Sequence, residues 1–380
     1  MFNGAKLRYI RMVSGFSRKE LADKLNVTEQ AIGQYEAGII TPKIDILIKL
    51  NNLFGVSNKY FSNIEAMPLL DIESNIAFRN SDRTQRIKVE FEKYYLSDIH
   101  GYLKFFSTRV KFFLDHLSVI KDQVINDYDD LENDDIESIA RKIRSMLNID
   151  TNDILLTMLE RSGIVVLEKP FFNKTDACSV WIEGVPYIIL GSQQKSLVRR
   201  NFDLAHELGH LVLHANRDIN TLDKREFDLL EAQANHFASC FLLPQELFIQ
   251  DLKTIKGNIS NPEAYIELKK KWKVSIAAMG YRAFKESEMT YQQYRYFNVL
   301  LNKKKYKQIE PLDKEFLIIR PMRIKKMFEF IFENNIMSLK IFLDDHGLSS
   351  KSVAKKFNLD EAFLKQYLDK KDNIIEFSFN

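Results

Sequence analysis

The first 62 residues alternate between short amphipathic runs and polar punctuation, and the punctuation carries helix-start and helix-stop chemistry. Ser17-Arg18-Lys19-Glu20 is a capping box, in which a serine and a glutamate three residues on satisfy each other's backbone N–H groups. Behind it, Leu21, Ala22 and Leu25 supply an apolar face. Thr28 caps a following helix with Ala31, Ile32 and Tyr35 facing inward and Gly38 just past its end. Thr41-Pro42 is expected to open another, with Pro at the first helical position and Ile44, Leu47, Ile48 and Leu50 as its apolar stripe. Five short helices are expected in all, two of them joined by the Asn26-Val27 link in a helix-turn-helix.

The period then breaks. Residues 63–86 read as a linker, interrupted by Asn75, Asn80, Ser81 and Asp82. From Ile87 to about Val124 a helical pattern returns, rich in aromatic residues such as Tyr94, Tyr102 and Phe106, and is expected to form a helical hairpin or spacer. Asp127 to Asp135 reads as an acidic turn, Asp135 capping a helix that runs to Leu147, with a further helix over Asp153 to Arg161. After Gly163 the period becomes two. Ile164 to Leu167 reads as a strand, and Cys178–Ile182 with Val185–Leu190 as a hairpin turning at Glu183-Gly184. Helices resume near Lys195 and dominate to the end, and no internal repeat stands out. The layout is α+β, mostly α, with a small antiparallel sheet.

Composition narrows this picture without changing it. An apolar fraction of 45% and a charged fraction of 28% are ordinary for a globular chain, and 13 Gly with 8 Pro fit a helix-rich one. Met1 to Val13 lacks the apolar core of a signal peptide, and no apolar run reaches membrane-spanning length, so no membrane role is expected. Two cysteines, Cys178 and Cys240, make no disulfide framework, and a cytoplasmic location is expected. The net charge of +3 is unevenly placed: residues 1–60 hold nine Lys/Arg against five acids, leaving the rest near neutrality. A basic N-terminal module on a neutral body suits a nucleic-acid reader carrying a different passenger.

From Lys6-Leu7-Arg8 through Ser17–Ala22 to Ala31–Gly38, about 55 residues resemble the phage-repressor-like (Xre-type) DNA-binding family. In that family the second helix of the pair lies in the major groove. The resemblance places Thr28, Glu29, Gln30 and Gln34 near base edges of double-stranded DNA and Arg18 near phosphate, and Gln to adenine or Glu to cytosine are sound pairings. A helix-turn-helix used only for protein contacts is the competing reading.

Residues 199–215 form a mostly apolar helical run containing His206-Glu207-Leu208-Gly209-His210. Histidines four apart share a helix face, so both imidazoles can bind one zinc ion. Glu207 can act on water beside the metal without ligating it, and zinc lowers the pKa of water from about 15.7 toward roughly 7. His214 extends the same row, but three residues in line on one helix close poorly round an ion, so it reads as a supporting or structural residue. A third protein ligand is required. The following helix, about Lys224 to Phe241, offers Glu226, Glu231 and His236; Glu231 shares a face with Ala234, Asn235 and Ala238, small residues that permit close approach, whereas Glu226 is expected to face solvent.

Arg200–His210, Glu231–Ala238 and Leu242-Leu243-Pro244 together look like the ImmA/IrrE-type metallopeptidases, with support from Asp176–Ser179 and Trp272–Ser275. The resemblance spans roughly residues 130–285, and family members often carry an N-terminal Xre-type domain. It implies metal ligands His206, His210 and Glu231, Glu207 as catalytic base, Zn2+ as cofactor with Mn2+ as the alternative, and a repressor-type protein as substrate. No motif position departs from the family pattern.

Weaker features remain. An edge of the Cys178–Leu190 hairpin could bind an extended substrate, and Tyr281, Arg282 or Tyr187 could assist at the oxyanion, though each reads first as structural. Ser349–Ala354 and Asn358–Glu361 faintly echo a second helix-turn-helix, with a dimerisation or capping bundle as the preferred reading. The expected division is a DNA-binding domain at 1–65, a helical linker at 66–130, a zincin-like domain at 131–290 and a C-terminal helical domain at 291–380. The leading expectation is a DNA-binding regulator, with a homodimer as one candidate assembly, whose peptidase domain cuts a repressor or itself. The alternatives are a non-proteolytic ligand or metal sensor and an antitoxin or phage-immunity factor.

Overall fold

The computed structural model describes residues 2–62, 83–125, 133–169, 177–191, 196–215, 217 and 222–368. The linker expected between 63 and 86 lies largely outside these residues, as does most of the acidic turn at 127–135. The chain packs as two compact units. One holds the N-terminal helices, residues 78–112 and everything from Ile324 onward; the other holds Phe113–Arg323. The packing thus cuts across four consecutive segments: the aromatic-rich region around 90–125 is shared between the units, and the C-terminal helices join the N-terminal unit.

The first unit opens with the five expected helices: α1 (Gly4–Val13), α2 (Arg18–Leu25), α3 (Glu29–Glu36), α4 (Ile44–Phe54) and α5 (Asn58–Ser62). Ser17 and Glu20 close their capping box, and Thr28 Oγ1 accepts from the Ala31 N–H at the start of α3. Asn26 takes the left-handed conformation (φ 57°) between the two helices. A Cβ on Gly4 would lie 2.2 Å from the Tyr35 carbonyl oxygen, so α1 meets the end of α3 at backbone distance. One expectation is corrected. Helix α4 starts at Ile44 behind Lys43, and its buried face is Ile46, Leu50 and Phe54, while Ile44 and Ile48 are exposed. The two stripes lie on adjacent faces of one apolar helix, and contact with α2 selects the inner one.

Helix α6 (Arg83–Ser107) lies along α1, with Tyr94 edge-on to Tyr9 and the Tyr9 hydroxyl donating to Asp98 Oδ1 at 3.2 Å. The C-terminal helices of this unit are α16 (Arg323–Glu333), α17 (Leu339–His346), α18 (Ser350–Phe357) and α19 (Glu361–Lys365). Phe328, Phe342 and Phe357 build their core together with Tyr102 and Phe106 of α6.

The second unit runs α7 (His116–Ile125), α8 (Asn133–Met146) and α9 (Leu155–Arg161), then β1 (Val165–Lys169), β2 (Ala177–Ile182) and β3 (Val185–Gly191). Among the described residues six further α-helices complete this unit: α10 (Leu197–Leu213), α11 (Lys224–Leu242), α12 (Gln245–Leu252), α13 (Ile266–Trp272), α14 (Ile276–Lys285) and α15 (Tyr291–Lys303). The hairpin turns where expected, with Glu183 (φ 47°) and Gly184 (φ 76°) both left-handed, the twist that suits a two-residue turn. The sheet is mixed rather than wholly antiparallel. Its order is β1-β3-β2, with β3 antiparallel to β2 and parallel to β1. Successive strands reverse direction, but β3 inserts between its predecessors and so lies parallel to β1. All seven residues of β3 are buried, as its near-continuous apolar sequence requires of a central strand.

Candidate metal centre

Helix α10 is buried on almost every side. Leu204, Ala205, Leu208, Leu211 and Val212 join the main core, leaving Arg199 exposed and the strip of Phe202, His206 and His210 partly open. Helix α11 crosses over that strip. A Cβ on Gly209 would meet the Phe237 ring at 3.1 Å and the Ala234 Cα at 3.4 Å, so the glycine and the fully buried Ala234 set the distance between the two helices. The approach carries Glu231 onto the histidines. Its Oε1 lies 3.4 Å from His210 Nε2 and its Oε2 3.7 Å from His206 Nε2, while the two Nε2 atoms stand 3.0 Å apart.

Four-coordinate zinc with bonds of about 2.0–2.1 Å keeps its ligand atoms roughly 3.3 Å from one another. The separations of 3.0, 3.4 and 3.7 Å bracket that value, so the donor set fits such an ion. The outer ring nitrogens are held too. Asn235 Oδ1 lies 3.1 Å from His206 Nδ1, and His214 Nδ1 lies 3.0 Å from His210 Nδ1, with Gln233 Oε1 3.0 Å from His214 Nε2. Burial and the neighbouring His210 push His206 down to about 4, and burial pushes His214 down to about 3, so both rings are neutral at physiological pH. Burial acts the same way on His210, but Glu231 and Glu207 outweigh it and its pKa is raised. Carboxylates beside the neutral His206 ring make a site suited to a cation.

Glu207 stands outside this triangle, buried toward the sheet. The Ser179 hydroxyl on β2 donates to its Oε2 at 2.6 Å. Burial raises the Glu207 carboxyl to about 7, against the pull of His210 and of the Ser179 hydrogen bond. Trp181 Nε1, two residues along β2, donates to the Leu211 carbonyl at 3.0 Å and pins the strand to α10.

The other two ligand candidates go elsewhere. Glu226 closes a capping box with Asp223 at the start of α11. His236 joins Glu137 and Cys240 in a second cluster of ligand-type atoms. There, however, the Arg282 guanidinium already lies 2.6 Å from Glu137 and 3.3 Å from Cys240 Sγ, and burial pushes that thiol up to about 12. A fixed cation in place and a protonated thiol leave that cluster unsuited to a metal. Arg282 is engaged by Glu137, Glu286 and Cys240, and Tyr187 is fully buried in β3; Tyr281 stays partly exposed beside Tyr294.

In the helix-turn-helix, Glu29 and Gln30 are exposed on α3 and Gln34 is half-buried; Thr28 is exposed while its hydroxyl caps the helix. Arg18, half-exposed, bonds Glu36 Oε2 at 2.8 Å, and Arg11 bonds Glu36 Oε1 at 2.5 Å. The sequence assigned no role to Ser179, Gln233 or Glu36, and gave Asn235 only that of a small residue permitting close helix approach. For Ser179 the one signal was its place in the Asp176–Ser179 segment.

Residues 159–284 match the family described as an IrrE N-terminal-like domain of metallopeptidase type, and residues 7–61 match a helix-turn-helix family. The chain joins a helix-turn-helix to an IrrE N-terminal-like domain. Over 57 residues it is 39% identical to two curated proteins of Bacillus subtilis (strain 168). One is the SPbeta prophage-derived uncharacterized HTH-type transcriptional regulator YonR, the other the HTH-type transcriptional regulator ImmR. The match covers 15% of this chain and 53% or 45% of theirs, so the chain spans about half the length of the curated relatives it matches. A Mycobacterium tuberculosis transcriptional regulator aligns at 17% identity with a TM-score of 0.31, covering 44% of this chain and 51% of that one, a likeness too slight to carry an argument. No helix among the described residues is long and apolar enough to cross a membrane.

Proposed function

We propose that the chain is a cytoplasmic, DNA-binding transcriptional regulator whose IrrE-like domain is a zinc-dependent, site-specific endopeptidase. Its substrate on this reading is a repressor-type protein or its own N-terminal region, and the genes under control belong to a phage, a mobile element or a stress response. The observation that carries the reading is the convergence of His206, His210 and Glu231 beside a buried Glu207 that does not join them. Those three residues would hold the ion, zinc in the first instance with manganese as the alternative. When bound, the metal supplies Lewis acidity that activates water and polarises an amide carbonyl.

Glu207 takes a proton from the attacking water and returns it to the leaving amine, a role that general-base geometry and a carboxyl raised to about 7 both support. Ser179 keeps the carboxylate aimed. Among the described residues β2 is an outer strand of the sheet, and on this reading an extended peptide docks there by strand addition. The DNA-binding half draws support from the match of residues 7–61 and from the regulators that share it.

The test is co-expression of wild type and Glu207→Gln with candidate repressors. Cleavage by the wild type and a loss of at least about 100-fold in the variant, with metal content unchanged, is expected for loss of a general base. Equal cleavage by both proteins would exclude the mechanism.

A further inference from the structure

A constant shift of 332 positions carries Gly15-Phe16-Ser17 onto Gly347-Leu348-Ser349, and the geometry repeats along with the residues. Gly15 (φ 73°) and Gly347 (φ 63°) both turn left-handed after a helix. Ser17 and Ser349 then open helices of eight residues each, α2 and α18, both with closed capping boxes. Asn26 (φ 57°) and Asn358 (φ 51°) end them, and Thr28 and Asp360 cap the next helix by accepting from backbone N–H groups. Helix α19 is short, and tighter turn bonds from Tyr367 to Leu364 and from Leu368 to Lys365 follow it.

The cores match position by position. Leu7, Leu21, Ala22, Leu25, Ile32 and Tyr35 are buried, and so are Leu339, Val353, Ala354, Phe357, Leu364 and Tyr367. The charged cluster of the first copy is exchanged as a set: Arg11, Arg18 and Glu36 correspond to Leu343, Ser350 and Leu368. Removing both signs together is how a buried ion pair can be replaced without stranding a charge.

Helix α6 and the α4–α5 turn fix the second copy against the first. Asp98 accepts from Tyr9 and from the Lys356 ammonium, and Tyr102 packs on Phe342 and Phe357. Ser57 N donates to the Gly347 carbonyl and Ser349 N to the Gly55 carbonyl, each at 2.9 Å.

Three polar positions repeat where packing does not require it, while Arg18, Thr28 and Gln30 become Ser350, Asp360 and Ala362. Lys19, Glu29 and Gln34 recur as Lys351, Glu361 and Gln366. Ala362, Lys365 and Gln366 are exposed along α19, and the large apolar residues that this unit exposes lie elsewhere, among them Ile44, Phe330 and Ile341. Of the acids, Asp360 caps its own helix and Glu361 lies 3.0 Å from Lys365. A polar face with lysines for phosphate and an amide for a base edge is the chemistry of a duplex reader.

We propose that residues 338–368 are a second helix-turn-helix that lays α19 against duplex DNA, so that one chain grips two segments of one duplex at fixed spacing. This rests on the DNA-binding reading of residues 7–61.

The experiment uses the full chain. Tight binders are selected from random-sequence 40-bp duplexes, and wild type is compared with Lys351→Glu/Gln366→Ala and with Gln30→Ala/Gln34→Ala by footprinting and by affinity across a salt series. Each variant is expected to lose about 10-fold or more, in line with one to two lost contacts. The α18–α19 variant should also shorten the protected stretch and lower the salt slope by about one. Inserting about half a helical turn between the two protected segments should weaken wild-type binding. If only the α3 variant is weakened, the second reader is overturned while the first stands. If no duplex is selected, the DNA reading fails and this proposal falls with it. An α18–α19 variant that changes sedimentation but not DNA affinity identifies a protein contact instead and overturns the proposal. The substituted side chains are exposed except half-buried Gln34, and an unchanged thermal midpoint checks folding.

Discussion

The hydroxyl of Ser179 donates to Glu207 Oε2 at 2.6 Å, joining strand β2 to the face of α10 that adjoins the histidine strip. The bond fixes one carboxylate oxygen and leaves the other for a proton in transit. Ser179→Ala is therefore expected to lower kcat of peptide cleavage by about 10-fold, at the small end of general-base effects, because the base remains but loses its aim. KM and bound metal should not change. Metal analysis beside single-turnover cleavage checks this; an unchanged kcat would remove Ser179 from the machinery.

Metal retention should depend on Glu231 as strongly as on either histidine. Its two oxygens lie 3.4 and 3.7 Å from the two Nε2 atoms, so it closes the third corner of the site. Glu231→Ala and His206→Ala are each expected to lose stoichiometric zinc, measured by elemental analysis after gel filtration. Zinc added at about 100 times its dissociation constant should stabilise wild type by about 2.7 kcal/mol against unfolding, and each variant much less. Preserved stoichiometry in either variant would count against the site.

Gly209 tests the helix spacing rather than the ligands. Its missing Cβ is what lets Phe237 and Ala234 approach, with 3.1 Å to the phenyl ring. Gly209→Val should force α10 and α11 apart, destabilising the domain by about 1–3 kcal/mol as overpacking does. The same displacement moves Glu231 off the histidines, so zinc affinity should fall although no ligand has changed. Denaturant melts and a zinc competition titration read the two effects separately.

How much of this was legible beforehand depended on whether the information was local. His206 and His210 are neighbours by helix geometry alone, and Glu231 follows from the small residues Ala234 and Ala238 on its face together with the family resemblance. Ser179 acts on a residue 28 positions away through strand placement, which no local period encodes. For α4 the sequence offers two apolar stripes, and only the neighbouring helix shows that Ile46 and Leu50 face inward. The position of β3 between β1 and β2 is likewise a tertiary fact. The repeat at residues 338–368 was faint for another reason. Leu21 to Val353 and Leu25 to Phe357 keep the role but change the residue, and the left-handed Asn26 and Asn358 become informative only as angles.

That repeat gives a direct test of the buried charges in the first copy. Glu36 is almost wholly buried between Arg11 and Arg18, and Arg11 is itself buried. Glu36→Leu alone strands the Arg11 guanidinium and should cost about 3–5 kcal/mol, the usual penalty for breaking a buried pair from one side. Arg11→Leu/Glu36→Leu reproduces the Leu343 and Leu368 of the second copy and should recover most of that loss. Half-exposed Arg18 needs no replacement, since water can take over its hydration. Urea denaturation of the two variants and wild type measures the coupling. If the double variant is as unstable as the single one, Arg11 and Glu36 are not the counterparts of an apolar pair, and the alignment of the two copies fails at its most informative positions.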